Sequence, residues 1–123
     1  MRRVTLAAAA MAAVLNLAAA APALAAYGAF AHDETTGRYG FSWNEDSQRK
    51  ADETAMKGCN SPDCKVVFRT GPRECGAIAL TDNGKAWGGA KRPKRDAAEL
   101  AAMENCQKHT KGQCKVKGSE CNR

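Results

Sequence analysis

From residue 27 onward, apolar and polar positions follow one rhythm twice. A short apolar run at 28–31 is followed by a Gly-marked turn at Thr35-Thr36-Gly37. Then Tyr39, Phe41 and Trp43 alternate with Gly40 and Ser42, which puts three rings on one face of a strand. A stripe of Ala51, Ala55 and Met56 at helical spacing predicts a helix over 44–58, with Glu45 and Asp46 in its first turn and Gly58 as its terminator. A strand is expected at 66–69. The second round has an apolar run at 76–80 and a tight-turn signal at Asp82-Asn83-Gly84. Its helix is expected from Pro93, which suits a first helical position, through Leu100 and Met103 to Cys106, and its last strand at 114–117.

The landmarks match. Tyr27-Gly28-Ala29-Phe30-Ala31 returns as Cys75-Gly76-Ala77-Ile78-Ala79, the helix-ending Cys59 as Cys106, and Cys64-Lys65-Val66 as Cys114-Lys115-Val116. A period of about 48 residues means two copies of one supersecondary unit, 27–74 and 75–123. Each copy reads ββαβ. The expected fold class is α+β: two pseudo-repeated units forming a two-layer sheet-plus-helices domain stapled by disulfides.

Residues 1–26 change the picture of compartment. Arg2 and Arg3 precede an uncharged Ala/Leu/Val stretch, and Ala23-Leu24-Ala25 has the small-residue form of a cleavage site, so a cleaved signal peptide is expected. The rival is an uncleaved membrane anchor; the Ala-dominated composition and Asn16 argue for cleavage, and hence against a stable anchor. What remains is a single domain at 27–123 with a small core, secreted or periplasmic and monomeric. It carries a net charge of +4, placed unevenly: residues 83–123 hold ten basic and four acidic side chains, against seven and nine in 27–82. The second copy is the cationic one.

All six cysteines lie beyond residue 26. In an exported chain of this size they read as a disulfide framework. Sequence alone does not choose among the connectivities. The duplication favours Cys59–Cys64 and Cys106–Cys114, equivalent helix ends tied to equivalent strands, and leaves Cys75–Cys121 to close the second copy. The rival is a zinc set at Cys106, His109, Cys114 and Cys121, for which the first copy has no matching histidine. No metal or other cofactor is expected, and no C-x-x-C pair supports thiol catalysis.

No catalytic set is visible, and the domain is expected not to be an enzyme. His32 beside Asp33 and Glu34 could be written as an acid/base cluster; the simpler reading is a solvated loop. The serines sit in no nucleophile elbow, and the glycines have no phosphate-cradling spacing. Tyr39, Phe41, Trp43 and Trp87 suit a core more than a stacking platform for sugar or peptide. One segment has functional character: Lys91, Arg92, Lys94 and Arg95, four cations that oppose a helix dipole unless an anion binds there. The simpler reading is a solvated basic loop. Export argues against nucleic acid.

In combination, the Gly-Ala-hydrophobic-Ala strand, the Gly-rich hairpin, the Ala-rich helix ending in Cys and the Cys-Lys-Val strand resemble the DUF4189-like family of small secreted bacterial proteins, a domain of unknown function. The residues that carry the resemblance are 27–31, 39–43, 51–59, 64–67, 75–80 and 98–106. The resemblance implies exported single domains or envelope modules, and supplies no catalytic residues. The basic run after Trp87-Gly88-Gly89 departs from the pattern. The functional expectation is a small binding or inhibitor-type domain that contacts an anionic envelope polymer or an acidic protein. The alternative is a small secreted hydrolase or redox enzyme using His32 or His109.

Overall fold

The computed structural model describes residues 25–123. The leader read at 1–26 lies outside the described residues except for its last two positions. The elements run β1 (Tyr27–His32), β2 (Tyr39–Glu45), α1 (Gln48–Cys59), β3 (Lys65–Thr70), β4 (Cys75–Thr81), β5 (Trp87–Arg92), α2 (Arg95–Gln107) and β6 (Cys114–Cys121). Each copy is ββαβ, and the class is α+β.

Both helices begin later than expected. α1 is capped by Ser47, whose hydroxyl accepts from Lys50 N–H, and no acidic residue sits in its first turn. Asn44 instead lies in β2 with φ at +54°, held by the chain end: its amide donates to Asn122 Oδ1 at 2.9 Å and its own Oδ1 accepts from Arg123 N–H at 2.8 Å. At the other end, Asn60 in the left-handed region ends α1, and Gly58 is still helical. α2 starts at Arg95, with Lys94 as a cap that offers no side-chain acceptor; Pro93 therefore precedes the helix.

Each copy forms its own three-stranded antiparallel sheet, ordered β2-β1-β3 and β5-β4-β6. Strand alternation sends alternate residues to opposite faces. On the outer faces Ala29 and Ala31 pack with Ala51 and Ala55 of α1, and Ala77 and Ala79 with Ala98 and Ala102 of α2. These helices lie close because Gly40 and Gly88 oppose them: a Cβ there would fall 2.2 Å from Ala55 O and 2.1 Å from Cys106 N. Each copy is thus a two-layer unit of sheet and helix.

The inner faces meet in a third cluster. Phe30, Ile78 and Leu80 are buried there, with Tyr39, Phe41, Val67, Phe68 and Trp87 around them. Phe41, Phe30 and Phe68 face one another across the first sheet; at the same register the second sheet presents Gly89, Ile78 and Gly118. The rings fill the space those glycines leave. A Cβ on Gly89 would lie 2.2 Å from Phe68 Cε1, one on Gly118 2.8 Å from Phe41 Cε1, and one on Gly76 2.8 Å from Phe30 Cε2. The rings continue as a row, Trp43–Phe41–Phe30–Phe68–Trp87, with centroid spacings of 5.5, 5.6, 4.2 and 6.3 Å. Tyr39 and Phe41 are half-buried against this cluster; Trp43, 43 % exposed, is the open end of the row.

Three disulfides join Cys59 to Cys64, Cys106 to Cys114 and Cys75 to Cys121. The first two tie a helix end to the next strand. The third links residues directly opposite on β4 and β6, closing a span of 46 residues, worth about 4 kcal/mol in the loop-entropy account. The buried Asn122 locks the copies together at the same end, donating to Thr70 Oγ1 at 2.8 Å and Gly71 O at 2.9 Å.

Candidate functional site

Lys91, Arg92, Lys94 and Arg95 are all exposed, but they do not form one helix N-terminus. Lys91 and Arg92 end β5, opposite Gly76 and Cys75; Lys94 and Arg95 open α2. Two of the four are matched by acids: Lys91 Nζ lies 3.9 Å from Glu74 and Arg95 Nη2 3.6 Å from Glu120. Arg92 donates to its neighbour's carbonyl, Lys91 O, at 2.7 Å. Among the described residues, Arg92 and Lys94 have no acidic partner. Their backbone is fixed, because Arg92 pairs with Cys75 next to the Cys75–Cys121 bond.

His32 differs from the loop expectation. It is the last residue of β1, two positions from Phe30, so the strand period turns it into the layer between the sheets; its counterpart there is Leu80. It is 2 % exposed, and Nε2–H donates to Gly84 O at 2.6 Å, linking the first copy to the second copy's turn. Its Nδ1 has no hydrogen-bond partner among the described residues. Asp33 is buried as well and organises the 33–38 turn. It accepts from Ser61 Oγ, from Thr35 N–H at 2.8 Å and from Thr36 Oγ1 at 2.9 Å. These bonds, that of Ser61 foremost, outweigh burial and hold its carboxyl down at about 2. Neither His32 nor the exposed His109 is hydrogen-bonded to a carboxylate among the described residues. The sulfurs of the Cys106, Cys114 and Cys121 set are spent in disulfides.

Where the two hairpin turns meet, a groove of about 700 Å³ opens between the start of β5 and the C-terminal end of α2. Glu34 of the first copy lines it together with Lys85, Trp87, Gly89, Asn105 and His109 of the second. Trp87 is backed by Phe68, its ring parallel within 2°, and by His32 at 5.9 Å. Asn105 Nδ2 donates to Gly89 O at 2.9 Å, which fixes the amide and leaves its Oδ1 free to accept. The first copy has a counterpart of about 440 Å³ at the same place, between β2 and the end of α1. There Arg38 reaches across, its Nη1 donating to Asn60 O at 2.9 Å. Ala86 occupies the matching position: Arg38 O accepts from Asp33 N–H as Ala86 O accepts from Thr81 N–H.

Residues 27–121 match the model of the family described as Domain of unknown function (DUF4189). The chain belongs to that family. Curated relatives of this DUF4189 domain include Protein Rv1269c of Mycobacterium tuberculosis, 40% identical over 77 residues that cover 63% of this chain and 58% of that protein. The uncharacterized protein Rv1813c of the same organism is 33% identical over 86 residues, covering 70% of this chain and 57% of that one. The chain therefore spans under two thirds of the length of these relatives. A solved NMR structure of Rv1813c superposes with a TM-score of 0.58 at 26% identity, covering 79% of this chain and 75% of that one. DUF4189 carries no assigned activity to transfer. The three disulfides are compatible with an oxidising, extracellular location, and no helix among the described residues is long and apolar enough to cross a membrane.

Sequence reasoning placed the four cations but did not find the groove. Trp87 stood out as an aromatic and Glu34 only as a neighbour of His32; Asn105 gave no signal, and Glu34 and His109 lie 75 positions apart. One clue in the sequence was Ala86 at the place that Arg38 holds in the first copy.

Proposed function

We propose that this DUF4189 domain is a non-enzymatic binding domain of an oxidising compartment, secreted or periplasmic, whose strip Lys91–Arg95 engages an anionic envelope polymer. The observation that carries the reading is the pair of exposed cations without acidic partners, Arg92 and Lys94, on backbone anchored beside the Cys75–Cys121 bond. Unpaired cations keep their full field for an incoming anion, whereas Lys91 and Arg95 must exchange an acid for it. The strip runs along the end of a strand and into a helix, an extended line of charge that suits repeating anions. An acidic protein is the other partner such a strip could take.

Retention on polyanion resins tests this reading. Reversing Arg92 and Lys94 to Glu should release the domain at clearly lower salt, and reversing Lys91 and Arg95 should have a smaller effect. Unchanged elution in both variants contradicts it. Pull-downs from envelope extract, with and without removal of the polymer, separate a polymer from an acidic protein. The enzymatic alternative gains no support from His32, whose ring is buried and bonded to a backbone carbonyl.

A further inference from the structure

We propose that the groove between β5 and the end of α2 binds a neutral, hydroxyl-rich saccharide, with Trp87 as the platform under a pyranose ring. This site is separate from the Lys91–Arg95 strip and shares no residue with it.

Three observations converge. The first is divergence at one locus. Both copies place a recess beside the helix end that follows their second strand, but Arg38 straps the first and Ala86 leaves the second open, so the volumes are about 440 and 700 Å³. A volume of the larger size is in the range of small-molecule sites. The second is the state of the tryptophan. Trp87 is only partly buried, yet its ring packs against Phe68 and His32, and a ring held in this way loses little freedom when a ligand stacks on it. The third is the balance of the rim. Glu34 offers only acceptors, Lys85 only donors, Asn105 a free Oδ1, and His109 an exposed imidazole.

That composition selects a ligand class. Sugar hydroxyls both donate and accept, so each rim group finds a partner, while the apolar C–H face of the ring covers the indole. A phosphorylated or carboxylated ligand would meet Glu34 in the same groove, with a single lysine to offset it. A purely apolar ligand would leave four polar groups desolvated and unpaired.

The test is amide NMR titration of the intact disulfide-bonded domain with neutral hexasaccharides of β-1,4-linked glucose, β-1,4-linked N-acetylglucosamine and α-1,4-linked glucose. At least one should shift Gly88, Gly89, Asn105 and His109 amides together, in the millimolar range or better. Ala86→Arg, which returns the first copy's strap at a half-buried position lining the groove, should weaken binding by about tenfold or more. His109→Ala should weaken it severalfold, and Arg92→Glu with Lys94→Glu should leave it unchanged, which separates this site from the cationic strip. Absence of shifts with all three sugars, shifts confined to other surfaces, or unchanged binding in Ala86→Arg overturns the proposal. The spectrum of each free variant reports whether it is folded, so loss of binding is not confused with loss of structure.

Discussion

Toward its own helix, each copy presents the same surface: Ala29, Ala31 and Gly40 in the first, Ala77, Ala79 and Gly88 in the second. Toward the other copy they present opposite surfaces. The first supplies the row Phe41, Phe30 and Phe68, and the second supplies Gly89, Ile78 and Gly118 at equivalent positions. Two identical copies could not pack this way, because rings would meet rings or leave a void between glycines. Divergence at three positions turned a duplicated sheet into a filler and a receiver. The same asymmetry extends to the surface: the first copy straps its recess with Arg38, and the second leaves its recess open.

The largest effect expected from breaking this comparison is at its centre. Phe30→Ala should lose about 3–5 kcal/mol, because the ring contacts both sheets, whereas Ile78→Val should lose only about 1 kcal/mol. Urea denaturation measures both, and similar losses would remove the filler–receiver distinction. Next come the shared helix-facing glycines. Gly40→Ala and Gly88→Ala each push a Cβ to within about 2.2 Å of helix backbone that cannot move aside, so each should cost about 1–3 kcal/mol. The two costs should match, since this device is common to the copies.

A smaller effect separates the two hairpin turns by pH. The folded carboxyl of Asp33 sits at about 2, below its ordinary value of 3.8. Its stabilising contribution is therefore complete above that ordinary value and is lost as pH falls through about 2. Thr81 holds the matching turn of the second copy with a hydroxyl, Oγ1 accepting from Ala86 N–H at 3.3 Å, and does not titrate there. Amide exchange at Thr35 and Thr36 should accelerate in that acid window before exchange at Lys85 and Ala86 does. Ser61→Ala removes the main cause of the depression and should move the transition to higher pH. Simultaneous acceleration of both turns would contradict the assignment.

The order of elements and the α+β class were legible because they rest on local signals: alternation, Ala stripes, Asn-Gly turns and a repeat that checks each signal against its copy. The helix starts were not, because their causes are distant. Asn44 looks like a cap, but Asn122 and Arg123 draw it into β2. His32 beside two acids looks like a loop residue; its spacing of two from Phe30 was the stronger signal, and it runs into the core. The basic run was visible as charge, but only the fold splits it into two matched and two unmatched cations. The groove depends on residues from both copies, so no window of sequence contains it.

The most direct test of ring-into-glycine packing is a double-mutant cycle at Phe68 and Gly89. Gly89→Ala places a Cβ 2.2 Å from the Phe68 ring and should cost about 1–3 kcal/mol in the parent protein. With the ring already removed by Phe68→Ala, the same substitution should cost close to nothing, a coupling of about 1 kcal/mol or more. An equal cost of Gly89→Ala in both backgrounds would mean that the two sheets do not meet through these residues.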